Sequence, residues 1–449
     1  MAADIESAAK RLLGLIEKAG VREGEVYVEI SSGLDMEARE QALESLKTRE
    51  ATGFALRLVI DKKMSAVYSS DLTDASMEKA VARGVDLARV AAPDDANTFG
   101  EPAEGPAEVG VSDASFDEIP VSRKLGLLKD IETLAFAYDP AIRRIENLSY
   151  SDSKAEVLIA NTKGLMKRKR ATSFDVSCGV VAERDGEVET GGDDMSSRFF
   201  ESLDPPSRVA SRACWKATSI LGSKSLASQT APVIFDRDAG SALLVHLSAM
   251  ISGENIATGV SMLKDRLGDA IASPLVTVVD DGVMPGGAAS APFDGEGTPC
   301  QKTVVLDRGT LASFLFDRRT AFKSGAVSTG NGIREGFRSA PSVRTTNYHM
   351  AGGGQSPEDI IKSTSRGLWV VNLTGWWMGI SPATGDFSSG ARGMWIENGQ
   401  VQFPVKNVTV ASNLLDMLSK IDGVGDDLVF RRATVAPTFR IAEMSVGGT

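Results

Sequence analysis

Gly385-Asp386-Phe387-Ser388, Gly393-Met394-Trp395-Ile396 and Asn398-Gly399-Gln400-Val401-Gln402-Phe403-Pro404 punctuate residues 379–404, the stretch from which the fold is read. The first group reads as a turn feeding a strand, and the second as an apolar strand. Asn398-Gly399 then reverses the chain, because both residues tolerate the positive φ that a two-residue hairpin turn needs. The chain from Val401 returns as the partner strand and runs on into Val408-Thr409-Val410.

Around this hairpin, strands are expected over 233–235, 275–279, 302–306, 311–315 and 368–373, and a late helix over 413–421. A helix over 239–252 places Leu243, Leu244, Leu247 and Ile251 on one side. Asp307-Arg308-Gly309 repeats the turn chemistry of Glu397-Asn398-Gly399. Residues 230–449 therefore read as one β-rich C-terminal domain. At the other end, Ile5, Leu12 and Ile16 recur at helical spacing over 4–19, with Gly20 as the stop. Strands over 26–30, 53–60 and 64–68 and a helix over 73–92 complete a two-layer α/β domain, 1–92.

Residues 93–121 hold four prolines, eight acids and no Lys or Arg, and read as a linker or extended surface crossing. A helix over 122–137, strands over 143–150, 155–160, 165–182 and 187–190, and a helix from Pro206 to about residue 221 make a central α+β domain, 122–225. The class expected is α+β, with N-terminal two-layer α/β units followed by a β-rich C-terminal domain.

The 449 residues carry a formal charge of −11, which argues against general affinity for nucleic acid or anionic membrane. Lys167-Arg168-Lys169-Arg170 does not reverse that, because on a strand its side chains alternate between faces. Cys178, Cys214 and Cys300 form no CxxC, so a reduced compartment fits. No basic n-region opens the sequence, and no run of about 18 apolar residues predicts a membrane span. The cytoplasm is the expected location.

Common catalytic motifs are missing. The two histidines, His246 and His349, have no HExxH around them, and a conventional zinc site needs at least three protein ligands. There is no GxSxG elbow, and neither GxxxxGK[ST] nor GxGxxG occurs. SxxK matches recur too cheaply to carry weight. Gly352-Gly353-Gly354 before Ser356-Pro357 reads as loop and N-cap. Asp294 and Glu296 offer two carboxylates suited to acid–base work or to a tight polar turn. Trp376-Trp377 suits either an interface or the core.

Read together, these segments resemble the TldD/PmbA family, in its PmbA (TldE) branch. The resemblance rests on Phe293-Asp294-Gly295-Glu296-Gly297-Thr298-Pro299, Thr329-Gly330-Asn331-Gly332 and Arg344-Thr345-Thr346-Asn347. It continues through the 382–390 segment, Trp395-Ile396-Glu397-Asn398-Gly399 and Asn413-Leu414-Leu415-Asp416. It implies a cytoplasmic metalloprotease system of two related subunits, in which TldD-type chains hold the metal with HExxxH and a cysteine near the C-terminus. Here His246 matches the first histidine, but Leu247 and Ile251 occupy the glutamate and second-histidine positions. Val429-Phe430-Arg431-Arg432 follows where the cysteine-bearing segment is expected. Leu and Ile neither coordinate zinc nor activate water.

The resemblance thus implies a non-catalytic or weakly active subunit with no catalytic residue, metal ligand or cofactor of its own. Zinc is expected in a TldD-like partner, extended peptides or peptide precursors as substrates, and a homodimer is open to the chain when alone. Asp294, Glu296, Asn347, Trp376, Trp377 and Asp386 are expected along a substrate path or interface. Two other readings stand beside it: an independent hydrolase using Asp294 and Glu296, and a homodimeric peptide-binding scaffold.

Overall fold

The computed structural model describes residues 4–106, 109–375 and 381–448. The chain begins with α1 (Ile5–Lys18), β1 (Glu23–Arg39), β2 (Ala42–Ile60), β3 (Lys63–Ser69) and α2 (Asp74–Val90). After an extended crossing come α3 (Val121–Tyr138), β4 (Ile142–Asn161), β5 (Met166–Arg184), β6 (Glu187–Ser197) and α4 (Pro206–Thr218). These strands form a single antiparallel sheet in the order β3-β2-β1-β4-β5-β6. Its centre is the pairing of β1 with β4, where Val28 lies opposite Leu158.

Strand periodicity sorts the two faces of this sheet. Even-numbered residues such as Val26, Val28, Leu34 and Met36 of β1 and Leu148, Leu158 and Ala160 of β4 pack under the four helices. Odd-numbered Tyr27, Val157 and Ile159 pack instead against Phe293 and Phe337 from the C-terminal half. The crossing between α2 and α3 also packs, burying Phe99, Val109 and Val111.

The C-terminal half starts with β7 (Gln229–Phe235), α5 (Arg237–Met250) and α6 (Gly253–Ala257). It continues with β8 (Val278–Asp281), β9 (Lys302–Asp307), β10 (Thr310–Leu311), α7 (Arg318–Lys323), β11 (Gly332–Ile333), β12 (Ser342–Val343) and β13 (Tyr348–Met350). Then come α8 (Pro357–Lys362), β14 (Arg366–Thr374), β15 (Asp386–Glu397), β16 (Gln400–Asn413), α9 (Leu414–Ser419), β17 (Ile421–Val424), β18 (Thr434–Val435) and β19 (Phe439–Gly447). One sheet runs β10-β9-β8-β13-β18. Another runs β16-β15-β14-β7-β19-β17, and a further β16–β19 pairing closes five of its strands into a ring. The main apolar core lies between these sheets and α5.

The 385–410 hairpin forms as read: β15 and β16 pair antiparallel, with Glu397 opposite Gln400. Asn398 and Gly399 take φ of 52° and 71°. Three sequence expectations need correction. The strands expected over 143–150 and 155–160 are one strand, β4. Ser151-Asp152-Ser153-Lys154 reads as a break, but Asp152 points into the helix-covered face, where Lys124 Nζ (2.5 Å) and Tyr150 Oη (2.7 Å) donate to it. The strands expected over 26–30 and 53–60 are much longer, because their outer ends form a hairpin whose β2 arm is largely exposed and carries no apolar run. The 311–315 strand stops at Leu311. The chain then turns so that the Leu315 N–H donates to the Ile251 carbonyl at the end of α5. Among the described residues no helix is long and apolar enough to cross a membrane.

Candidate functional site

Helix α5 begins where Asp236 caps it, accepting the Asp238 N–H at 3.0 Å. Its apolar stripe then turns Leu243, Leu244, Leu247 and Met250 into the core. Leu247 and Ile251 are completely buried, and His246 is buried edge-on to the Phe387 ring, 6.3 Å between centroids. The other histidine, His349 on β13, directs Nδ1 at the Asn347 carbonyl (3.1 Å) and packs against Phe430. Burial pushes its pKa down. Among the described residues no group of three or more His, Cys, Asp or Glu side chains could hold a metal ion. The donor set around α5 therefore does not fit zinc: one imidazole is present, and its helical neighbours at the matching positions are hydrocarbon.

Residues 431–432 are anchored through their own arginines. Arg431 forms a two-pronged pair with buried Asp193 of β6 (3.0 and 2.6 Å) and reaches Asp204 at 2.6 Å. Arg432 donates to Asp194 at 2.7 Å. Arg212 and Lys216 of α4 bind Asp238 at 2.9 and 2.5 Å, so the start of α5 and the 431–432 segment are tied to the same charge network. Planar guanidinium–carboxylate forks of this kind fix geometry as well as add energy.

Asp294 and Glu296 lie together as expected, but both are buried. The Asp294 carboxylate accepts backbone N–H groups from Glu296 (2.8 Å), Thr298 (3.0 Å) and Gly332 (2.9 Å). Glu296 accepts the Arg318 N–H at 2.9 Å and faces Arg57 at 3.5 Å. Burial, then the charge of Glu296, raises the Asp294 pKa, and burial raises that of Glu296 against the pull of Arg57. Arg57 in turn clasps Glu25 through two 2.8 Å bonds, and Arg334 pairs with the same carboxylate from the C-terminal half. This cluster joins β1 and β2 to the 294–334 segment.

Asn347 is buried, donating to the Asp281 carbonyl (2.6 Å) and Ser290 Oγ (2.7 Å) and accepting the Ala289 N–H (3.0 Å). Asp386 is exposed at the start of β15. Trp376 and Trp377 lie outside the described residues. Sequence reading missed the Glu25–Arg57–Arg334 triad and the Asp193 network, and weighed Asp280 only as a distant carboxylate for a metal site, beside Asp281, Asp294 and Glu296. Asp280 is buried beneath Asn331 Nδ2 (2.7 Å), the Thr346 N–H (2.6 Å) and Thr346 Oγ1 (2.9 Å). Its only sequence signal was an acid ending an apolar strand.

Three family models match the chain: PmbA/TldA metallopeptidase domain 1 over residues 24–88, the central domain over 114–221 and the C-terminal domain over 228–448. The protein named Metalloprotease PmbA in Escherichia coli O157:H7 is 28% identical over 434 residues, 94% of this chain and 92% of that protein. The Metalloprotease TldD homolog of Buchnera aphidicola subsp. Acyrthosiphon pisum is 31% identical over 316 residues, 68% of this chain and 65% of its own length. The crystal structure of TldE from Thermococcus kodakarensis shares the fold, with a TM-score of 0.89 and 22% identity over 98% of this chain and 100% of that one.

Proposed function

The chain belongs to the PmbA/TldD metallopeptidase family, as a member of PmbA/TldE type, and on that footing we propose that it is the non-catalytic subunit of a two-chain zinc peptidase. A TldD-like partner supplies the zinc and performs the hydrolysis. This chain contributes to the chamber that admits unfolded peptides or peptide precursors, and the pair works in the cytoplasm. The observation that carries the reading is the fully buried hydrocarbon of Leu247 and Ile251 at the two α5 positions where zinc hydrolysis needs a general base and a second histidine. The arginine anchorage of residues 431–432 supports it, since that segment is built to hold still rather than to bind metal. An independent carboxylate hydrolase fits less well, because the Asp294 oxygens are occupied by backbone N–H groups and shielded from solvent.

Extended substrates can add to strand edges through main-chain hydrogen bonds, which tolerate many sequences. The pairing is tested by co-purification from the native organism and by size-exclusion chromatography of this chain mixed with a TldD-like subunit. A stable mixed complex is expected; failure of the two to associate at micromolar concentrations contradicts it.

A further inference from the structure

Alternation of faces divides the 167–170 basic run between the two sides of β5. Lys167 and Lys169 share the inner face of β5 with Val157 and Ile159 of β4. A cleft of about 380 Å³ opens there between this face and residues 288–292, with Ala171, Ala289 and Pro292 among its apolar walls. A neighbouring cavity of about 490 Å³ shares Lys169, Arg170 and Pro292 and lengthens the cleft. Lys169 and Arg198 both line it.

Both cations are held by neutral groups. Lys169 Nζ donates to the Phe293 carbonyl (2.7 Å) and sits 4.8 Å above that residue's ring. Arg198 donates through Nη1 to the Thr172 carbonyl (2.9 Å) and through Nε to the Gly287 carbonyl (3.4 Å). Among the described residues neither forms an ion pair, nor does Lys167, whose Nζ donates to the Ala103 carbonyl (2.8 Å), whereas Arg334, Arg168 and Arg170 do. Arg334 has Glu25, and Arg168 and Arg170 share Glu156. The acids at the cleft are also engaged: Glu29 accepts the Phe337 N–H, Glu335 pairs with Arg344, and the Asp294 oxygens face backbone amides. Burial lowers the pKa of Lys169 and of Arg198, which marks charge held out of water without full compensation. An anion delivered to the cleft relieves that cost.

We propose that this cleft binds a carboxylate of an extended peptide, with Lys169 and Arg198 as the two cations that receive it. The proposal rests on the peptide-processing reading above. The apolar lining from Ala155, Val157, Ala171, Ala289 and Pro292 can cover the carbon surface of a peptide, which a compact inorganic anion lacks. The carboxylate is either the free C-terminus or an Asp or Glu side chain.

The test uses the full chain and an N-terminally fluorescein-labelled decapeptide of Ala, Ser and Gly, followed by fluorescence anisotropy at low ionic strength. Three forms are compared: the free acid, the α-amide, and the α-amide with one Ser replaced by Glu. A carboxylate form binds about tenfold tighter than the neutral amide, the scale of a charge-assisted hydrogen bond. The free acid or the Glu-containing amide, whichever is tighter, identifies the source. Lys169→Met and Arg198→Met each reduce the preference for the carboxylate form over the amide to less than about twofold. Should either variant fail to fold, a salt titration of the wild-type chain replaces it: the carboxylate preference falls toward unity as ionic strength rises, and a preference indifferent to salt overturns the site. Equal binding of all three forms by the wild-type chain overturns the site alone, as does a preference that survives both substitutions. Absence of binding by every peptide overturns the peptide reading itself.

Discussion

Glu25 sits between two guanidiniums, almost fully buried, and joins β1 to the C-terminal half. Burial alone would raise its pKa, but Arg57 and Arg334 outweigh it and hold the carboxyl below its ordinary value. Removing the charge while keeping the shape leaves buried Arg334 without its carboxylate and Arg57 with only Glu296, at 3.5 Å. Glu25→Gln is therefore expected to cost about 3–5 kcal/mol in urea denaturation; a loss under about 1 kcal/mol would show that the triad contributes little. Asp280 behaves oppositely. Burial pushes its pKa up to about 6, against the hydrogen bonds from Asn331 and Thr346. A carboxyl whose folded pKa exceeds its unfolded value contributes stability below the unfolded pKa, and that contribution fades as pH rises through the folded one. The wild-type chain should lose stability from this group between about pH 4 and pH 6, and Asp280→Asn should flatten that limb in melts recorded across the range. At this scale, the sequence picked out Asp294 and Glu296 as a carboxylate pair. It could not disclose their surroundings, because the network runs through Glu25 and Arg334, which are 309 positions apart.

The hairpin that opens the reading was legible because its turn chemistry is local. Both turn residues take positive φ, and a Cβ on Gly399 would lie 2.4 Å from the Lys362 carbonyl oxygen. Gly399→Ala is expected to cost about 1–3 kcal/mol, while Asn398→Gly should stay within about 1 kcal/mol of wild type in thermal melts. Helix α5 was legible too, though it starts at Arg237 rather than 239, since the capping Asp236 precedes the apolar stripe. Restoring a metalloprotease residue singly to this helix should fail for a physical reason. Leu247→Glu buries a carboxylate in hydrocarbon and is expected to cost about 3 kcal/mol or more without any gain in bound zinc, checked by denaturation and metal analysis. A stable variant that takes up zinc would mean that the site is only masked. β4 was misread as two strands, because a buried aspartate in mid-strand looks like a turn until its lysine and tyrosine partners are known.

Across the whole molecule, the two N-terminal segments share one sheet, with helices on one face and the C-terminal half on the other. The sequence showed helices and strands in the right order but not this joining. The β1–β4 register pairs Val26 with Ala160, and nothing near either residue announces the other. The long motifs of the C-terminal half identified the family without disclosing the charge network that fixes residues 431–432 against β6. The central claim is that this chain shapes the site while another chain supplies the chemistry. Its most direct test is zinc content by mass spectrometry together with cleavage of an unfolded peptide, by the purified chain alone and mixed with a TldD-like subunit. Little zinc and no cleavage are expected from the chain alone, with cleavage by the mixture above that of the partner by itself. Stoichiometric zinc and robust cleavage by the lone chain would contradict it.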